Sequence, residues 1–345
     1  MRRTSIFGSL FESSSGRALT VAAAAMAGAR VLTLLGRRPM RLQGAVALIT
    51  GGSRGLGLTL ARELAARGAN LVLLARSEAE LEAAERELAP HTDVLGIPCD
   101  VTDRAAVERA IGEAVARMGH LDLVINNASI IQVGPLEALT DEDFRAAMDV
   151  NFWGTVHTTL AALPHLGRGA RVCNITSIGG KVAIPHLLPY ACAKFAAVGF
   201  SEGMRAELAK RGVVVTTIVP GLMRTGSPEN ALFKGERERE YAWFTAGDAT
   251  ALSALSVERA ARRIVRAIQR GESEVTLSWQ AKVLRYAHAL FPSLVMAALG
   301  IMNRMLPTAS GPDPIAVRGR DLVNRSERIR RLIEEQAKKT RQYIH

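Results

Sequence analysis

Cysteine is scarce in this 345-residue chain. Cys99, Cys173 and Cys192 have no paired short spacing, which excludes a disulfide scaffold and leaves no zinc pattern. They read as free thiols of a reducing compartment, and no metal is expected. Long apolar runs are missing too. None reaches the roughly 20 residues that cross a bilayer comfortably, which argues against a polytopic membrane protein. Charged residues at 22% and hydrophobic ones at 48% argue against wholesale disorder.

Acidic residues are outnumbered at the two ends only. The formal net charge is +11; residues 1–44 contribute +6, with seven Arg against Glu12, and residues 315–345 contribute +5. The stretch 45–314 is electrically balanced. A domain shaped for a polyanion carries basic residues on its own surface, so nucleic acid is not an expected partner. Basic ends beside apolar segments point instead to a membrane surface.

Residues 1–44 form a basic and apolar leader. Arg2 and Arg3 precede a Ser-rich stretch, an uncharged run from Ala18 to Ala29, and a second basic cluster at Arg37, Arg38 and Arg41. Three readings stay open: an amphipathic or flexible leader, a membrane anchor, and a cleaved signal, for which Ala25-Met26-Ala27 resembles a cleavage site. From Ala45 to Leu277 strand-like runs alternate with helical stretches. The strands read as 46–50, 71–74, 94–97, 121–125, 171–176, 213–219 and 274–277, with helices such as Leu56–Arg67 and Ser77–Leu88 between them. Continuous rather than alternating apolarity fits strands buried on both faces. The expectation is an α/β fold with a Rossmann-type, doubly wound parallel sheet: one main domain over 45–277, flanked by extensions 1–44 and 278–345.

After the first strand comes Thr50-Gly51-Gly52-Ser53-Arg54-Gly55-Leu56-Gly57. Glycines there allow a sharp turn, close approach to a pyrophosphate and tight helix packing, and the helix N-terminus offers free N–H groups. Between a strand and a helix, this signals a dinucleotide. The second strand ends at Arg76, where an NAD site usually places an acid. Arg76 and Arg54 together favour a 2′-phosphate, hence NADP(H) over NAD(H).

Ser177 follows the fifth strand, and Tyr190-Ala191-Cys192-Ala193-Lys194 comes thirteen residues later. Tyr and Lys at i and i+4 share one helix face. An ammonium there favours the phenolate, lowering the Tyr pKa for proton exchange with an alcohol or carbonyl.

Taken together, these segments resemble the short-chain dehydrogenase/reductase superfamily over roughly residues 45–277. The resemblance implies further roles: Asp100 and Val101 at the adenine, Asn127 and Ala128 beside the cofactor, and Asn151 as structural and proton-relay residue. It also implies Pro220, Gly221 and Thr225 near the nicotinamide, with Tyr190 and Lys194 touching the cofactor as well. Ser129 departs from the pattern, which usually has Gly there. The implied activity is hydride transfer between alcohol and carbonyl, with Ser177, Tyr190, Lys194 and Asn151 as the catalytic set. Ile178, Val182, Ile184, Leu187, Leu188, Leu222, Met223, Phe233, Trp243 and Phe244 predict apolar walls for a lipophilic substrate. A 3-oxoacyl-thioester reductase and an NADP-binding scaffold remain the alternatives. The resemblance also implies a homo-oligomer through the helices around Asn151 and Tyr190.

Beyond the last strand, the uncharged stretch Tyr286–Asn303 lies between Arg285 and Arg304. His288, Pro292 and Asn303 weaken it as a span, so it reads as an amphipathic segment in the headgroup region. The basic tail Arg318 to Arg341 would add attraction to anionic lipid. The expected location is cytoplasmic, with peripheral contact at the cytosolic face of a membrane.

Overall fold

The computed structural model describes residues 39–249, 255–309, 311–322 and 337–342. The leader lies outside the described residues up to position 38, as does the tail over 323–336. Seven strands build the central sheet: β1 (Val46–Thr50), β2 (Asn70–Ala75), β3 (Val94–Pro98), β4 (Leu121–Asn126), β5 (Leu166–Ile175), β6 (Val214–Val219) and β7 (Glu274–Thr276). Their order is β3-β2-β1-β4-β5-β6-β7, and every pair is parallel. The order reverses between β1 and β4, the switch point beside which doubly wound sheets bind ligands.

Apolar runs become strands here because both faces are covered. Along β1, Ala47 and Ile49 pack with Leu58, Leu60 and Leu64 of α1 (Gly55–Ala65) and with Ile264 and Ile268 of α8 (Val257–Arg270). Val46 and Leu48 face the opposite layer, with Val107 and Ile111 of α3 (Arg104–Met118) and Ala162 of α5 (Gly154–Ala162). Local chemistry starts the helices. Ser77 accepts the Glu80 N–H ahead of α2 (Glu78–Leu88), and Asp103 accepts the Ala106 N–H ahead of α3. Thr140 and Asp143 form a capping box for α4 (Asp141–Met148). Leu42 is buried in the same core, so the packed body starts before residue 45.

Around Asn151 the backbone widens into a π-helical turn, Asp149–Trp153, between α4 and α5. The long α6 (Leu188–Glu207) and the shorter α7 (Arg237–Ala249) complete the site side of the sheet. The uncharged C-terminal stretch is broken at Phe291–Pro292 into α9 (Trp279–Leu290) and α10 (Pro292–Asn303). No described helix is long and apolar enough to cross a membrane. Leu284, Val295 and Leu299 pack inward on Ile178, Val182 and Val219. Trp279, Val283, Tyr286, Leu290, Phe291, Leu294, Met296 and Ile301 stay exposed.

Candidate active site

β1 ends at Thr50, whose hydroxyl oxygen accepts the N–H groups of Asn127 (2.9 Å) and Ala128 (3.0 Å) after β4. In return the Asn127 carboxamide donates to the carbonyls of Thr50 (3.0 Å) and Gly51 (3.1 Å). The two strand ends at the switch point are thereby tied side chain to backbone. Gly51 turns at φ +63°. A Cβ on Gly57 would lie 2.0 Å from the Gly51 carbonyl oxygen, so only glycine brings α1 this close. α1 has no side-chain cap and no acid in its first turn. Its N-terminus therefore attracts an electron-rich oxygen, and the Gly55 N–H already donates to one, the Thr340 carbonyl at 2.7 Å.

Cations gather beside this loop. Arg54 is pushed below its ordinary value mainly by burial, with repulsion from Arg320 and Arg76 adding and Glu80 opposing. Glu80 holds the pair of loop residues, accepting from Arg54 Nη1 (2.9 Å) and Ser53 Oγ (2.8 Å). Arg76 is exposed. Arg320 and Glu80 had no motif to announce them. Asp100 accepts from both the Thr102 N–H and its hydroxyl at 2.9 Å, and Val101 packs against Gly154 of α5. A helix N-terminus without a side-chain cap or acid, a cradle that a Cβ would fill and neighbouring guanidinium groups fit a phosphorylated dinucleotide.

At the end of β5, Ser177 Oγ accepts the Gly179 N–H at 3.0 Å, which directs the hydroxyl proton elsewhere. A Cβ on Gly179 would stand 3.3 Å from the Tyr190 ring and 3.4 Å from Ser177 Oγ, so both side chains crowd the same spot. Gly180 makes room for α6, because a Cβ there would be 2.6 Å from the Lys194 carbonyl oxygen. Lys194 is 3% exposed; its Nζ donates to the Ile175 carbonyl (3.2 Å) and lies 5.6 Å from the centre of the Tyr190 ring. Ser177, Tyr190 and Lys194 are thus brought together.

The electrostatics differ from the expectation of a lowered tyrosine pKa. Burial raises the Tyr190 phenol above its ordinary value, against a hydrogen bond from Ser177 that lowers it. Burial also brings Lys194 down to about 8. The direction at Tyr190 follows from desolvation of the phenolate, the largest influence on this phenol.

Asn151 sits one shell away and anchors the loop after β4. Its Oδ1 accepts from Ser129 Oγ (2.7 Å) and the Ile130 N–H (3.0 Å), and its Nδ2 donates to the Ile130 carbonyl (3.1 Å). Ser129, the departure from the family pattern, has a partner that glycine would lack. The Ile178 N–H donates to the Pro220 carbonyl at 2.7 Å, joining the loops after β5 and β6. A Cβ on Gly221 would meet Ser278 Oγ at 2.5 Å, and the Thr225 carbonyl accepts from Thr340 and Gln342. Among the expected wall residues, Val182 and Phe233 are fully buried in the packing, whereas Ile184, Leu187, Leu188, Met223, Trp243 and Phe244 are partly exposed and Leu222 is exposed.

The short chain dehydrogenase family profile matches residues 45–233. The chain is 32% identical to a Dehydrogenase/reductase SDR family protein 7-like of Drosophila melanogaster, over 74% of this chain and 79% of that one. It is 37% identical to 11-beta-hydroxysteroid dehydrogenase A of Sesamum indicum, over 68% of each. Among solved structures, a short chain dehydrogenase from Burkholderia cenocepacia J2315 in complex with NADP superposes with a TM-score of 0.62 at 28% identity. That match covers 70% of this chain and all of the other.

The buried lysine makes a test of the site. Its folded pKa, about 8, lies below the ordinary 10.5, so the unfolded chain binds more protons between those values. Stability of the cofactor-free protein therefore rises as pH increases from 8 to 10.5, by up to roughly 3 kcal/mol. Thermal melts at pH 7.5 and 10 should show this gain relative to Lys194→Met, in which it is absent.

Proposed function

The chain belongs to the short-chain dehydrogenase/reductase family, oxidoreductases acting on CH–OH groups, and from there we propose that it interconverts a lipophilic alcohol and its carbonyl with NADP(H) in preference to NAD(H). The observation that carries the reading is the convergence of Ser177, Tyr190 and Lys194 after β5, at the same edge of the parallel sheet as the glycine loop after β1. Residues Thr50 to Gly57 would hold the phosphates, with Ser53 and Leu56 in the loop and Arg54 and Arg76 on the 2′-phosphate. Asp100 and Val101 would flank the adenine; Asn127, Ala128, Pro220, Gly221 and Thr225 would border the nicotinamide half. The nicotinamide supplies or accepts the hydride when bound.

The chain's own groups manage the oxygen and its proton. Ser177, whose oxygen accepts the Gly179 N–H, would share its hydroxyl proton between the Tyr190 phenol and the substrate oxygen. Tyr190, kept neutral by burial, is proton donor in reduction. Lys194 supplies the positive field that favours the phenolate left behind, and would also hold the ribose. Asn151 keeps the loop of Ser129 and Ile130 in place and would border the proton path.

Partly exposed apolar side chains at Ile184, Leu187, Leu188 and Met223 support a lipophilic substrate, as does likeness to an enzyme named for a hydroxysteroid. Trp153, Leu160 and Phe195, exposed on the π turn, α5 and α6, support a homo-oligomer across that face. The outer face of α9 and α10 supports peripheral membrane contact. Residues 279–306 contain Lys282, Arg285, His288 and Arg304 and no acid, which complements anionic headgroups. The inner face of the same pair touches Ile178 and Val182, next to Ser177.

NADPH oxidation against free ketones of increasing lipophilicity, beside a 3-oxoacyl thioester, tests the activity. Turnover should rise with lipophilicity, and Tyr190→Phe should lower it by roughly two to four orders of magnitude. Arg54→Ala and Arg76→Ala should each weaken NADPH about tenfold or more and leave NADH nearly unchanged, the loss expected for one charge-assisted hydrogen bond. Equal use of NADH and NADPH by the native enzyme would refute the cofactor preference. In flotation, the full chain should rise with anionic vesicles at low salt and not with neutral ones; Leu290→Glu/Leu294→Glu should stay at the bottom.

A further inference from the structure

Residues 337–342 bridge the glycine loop after β1 and the loop after β6 rather than lying in solvent. Ala337 is 0%, Thr340 1% and Gln342 6% exposed, and the Gln342 N–H closes a turn onto the Ala337 carbonyl at 2.8 Å. One side of the segment sits on the phosphate loop. The Thr340 carbonyl takes the Gly55 N–H at 2.7 Å, and a Cβ on Gly55 would lie only 2.7 Å from Gln342 Nε2. The other side grips the loop after β6. Thr340 Oγ1 and Gln342 Nε2 donate to the Thr225 carbonyl (2.7 and 3.0 Å), and Asn230 Nδ2 donates to Gln342 Oε1 (2.7 Å). Gly226, at φ +70°, leaves the space into which Ala337 fits. Arg341 pairs with Glu87 of α2 at 2.6 Å, and Arg62 of α1 donates to the Lys339 carbonyl at 3.0 Å.

Gly55 is the first residue of α1, where N–H groups without a helical partner are the donors that bind phosphate. In this structure that donor serves the chain's own carbonyl. A clamp that closed over bound cofactor would leave the Gly55 N–H for the cofactor; this segment consumes it. Arg341 adopts φ +52°, a left-handed conformation that a residue with a Cβ disfavours, so the docked form holds some strain.

Building on the assignment of this cleft to NADP(H), we propose that residues 337–342 are an autoinhibitory strap occupying the pyrophosphate position, which the cofactor must displace. A strap docked in most molecules weakens the apparent affinity by the fraction left open. It sets the threshold at which the cofactor gains entry.

Two measurements on the full chain test this. NADPH binding, followed by its fluorescence, is compared between the native chain and Arg341→Ala/Gln342→Ala, which removes side-chain contacts of the strap and leaves the loop intact. Tighter binding by the variant, about fivefold to tenfold, is expected if the strap is docked in about nine-tenths of molecules. Equal or weaker binding overturns the strap. Hydrogen exchange on the native chain stands independently of any variant. The amides of 337–342 should be protected without NADPH and exchange faster at saturation; unchanged or increased protection overturns the proposal. If neither chain binds NADPH or NADH, the cofactor reading itself falls and the strap with it.

Discussion

The tie between Thr50 and the pair Asn127–Ala128 is the constraint on which the rest of the site depends. One hydroxyl accepts two backbone N–H groups, and one carboxamide donates to two backbone carbonyls, all at the carboxyl ends of β1 and β4. These ends belong to neighbouring strands of a parallel sheet, where no ladder hydrogen bond continues past the last residue. The loops would otherwise splay. Once they are tied, Gly51 must turn with positive φ and Gly57 must lack a side chain, which sets α1 against the loop. The same logic repeats outward: Ile178 on Pro220 joins the next two loops, and Lys194 on Ile175 seats α6 against β5.

Much of this was legible in the sequence because it is local. Strands covered on both faces read as continuous apolar runs, and the glycine loop reads as a strand-to-helix turn. Ser177, Tyr190 and Lys194 stand out through spacing and family resemblance. What stayed hidden joins residues far apart in the chain. Asn126 donates to Thr159 and Asn174, Asn174 to Ser201, and Ser201 hydrogen-bonds Thr217, each at 2.7–2.9 Å. This buried polar line runs beneath the site through α5, β4, β5, α6 and β6. Each member alone is an unremarked polar residue in a strand or helix, and only the sheet order pairs them. Glu80 was hidden for the same reason, since nothing in α2 says that it faces Arg54. The phenol's direction was missed because burial, unlike an i, i+4 neighbour, cannot be counted along a sequence.

The C-terminal helices show how hydropathy misleads when the chain turns. Eighteen uncharged residues look like one segment, but Pro292 cannot continue the hydrogen bonding of α9, and the chain folds into two shorter helices. A pair of helices has two apolar surfaces. One meets Ile178 and Val182 in the loop that follows Ser177, and the other faces outward. The tail was likewise read by charge alone, as attraction for lipid. Among its described residues, Arg320 stands near Arg54 and Arg341 pairs with Glu87, so these two charges are directed at the body of the protein.

The cleft is therefore polarised along its length. Beside the glycine loop, Arg54, Arg76 and Arg320 raise the local positive potential, and Glu80, paired with Arg54, offsets it. Under the proposed cofactor reading, a phosphate group would compete with Glu80 for Arg54, so affinity there would be a difference between two ion pairings. Around Tyr190 and Lys194 the balance rests on burial instead. Lys194 and Tyr190 both lean toward their neutral forms, because desolvation penalises either charge. In the proposed role of Tyr190 as proton donor, moving its proton toward a substrate oxygen would create a phenolate near an ammonium, a pair less costly than either ion alone in the same low-dielectric space. In the proposed function, charge would select what enters at one end, and burial would set the proton chemistry at the other.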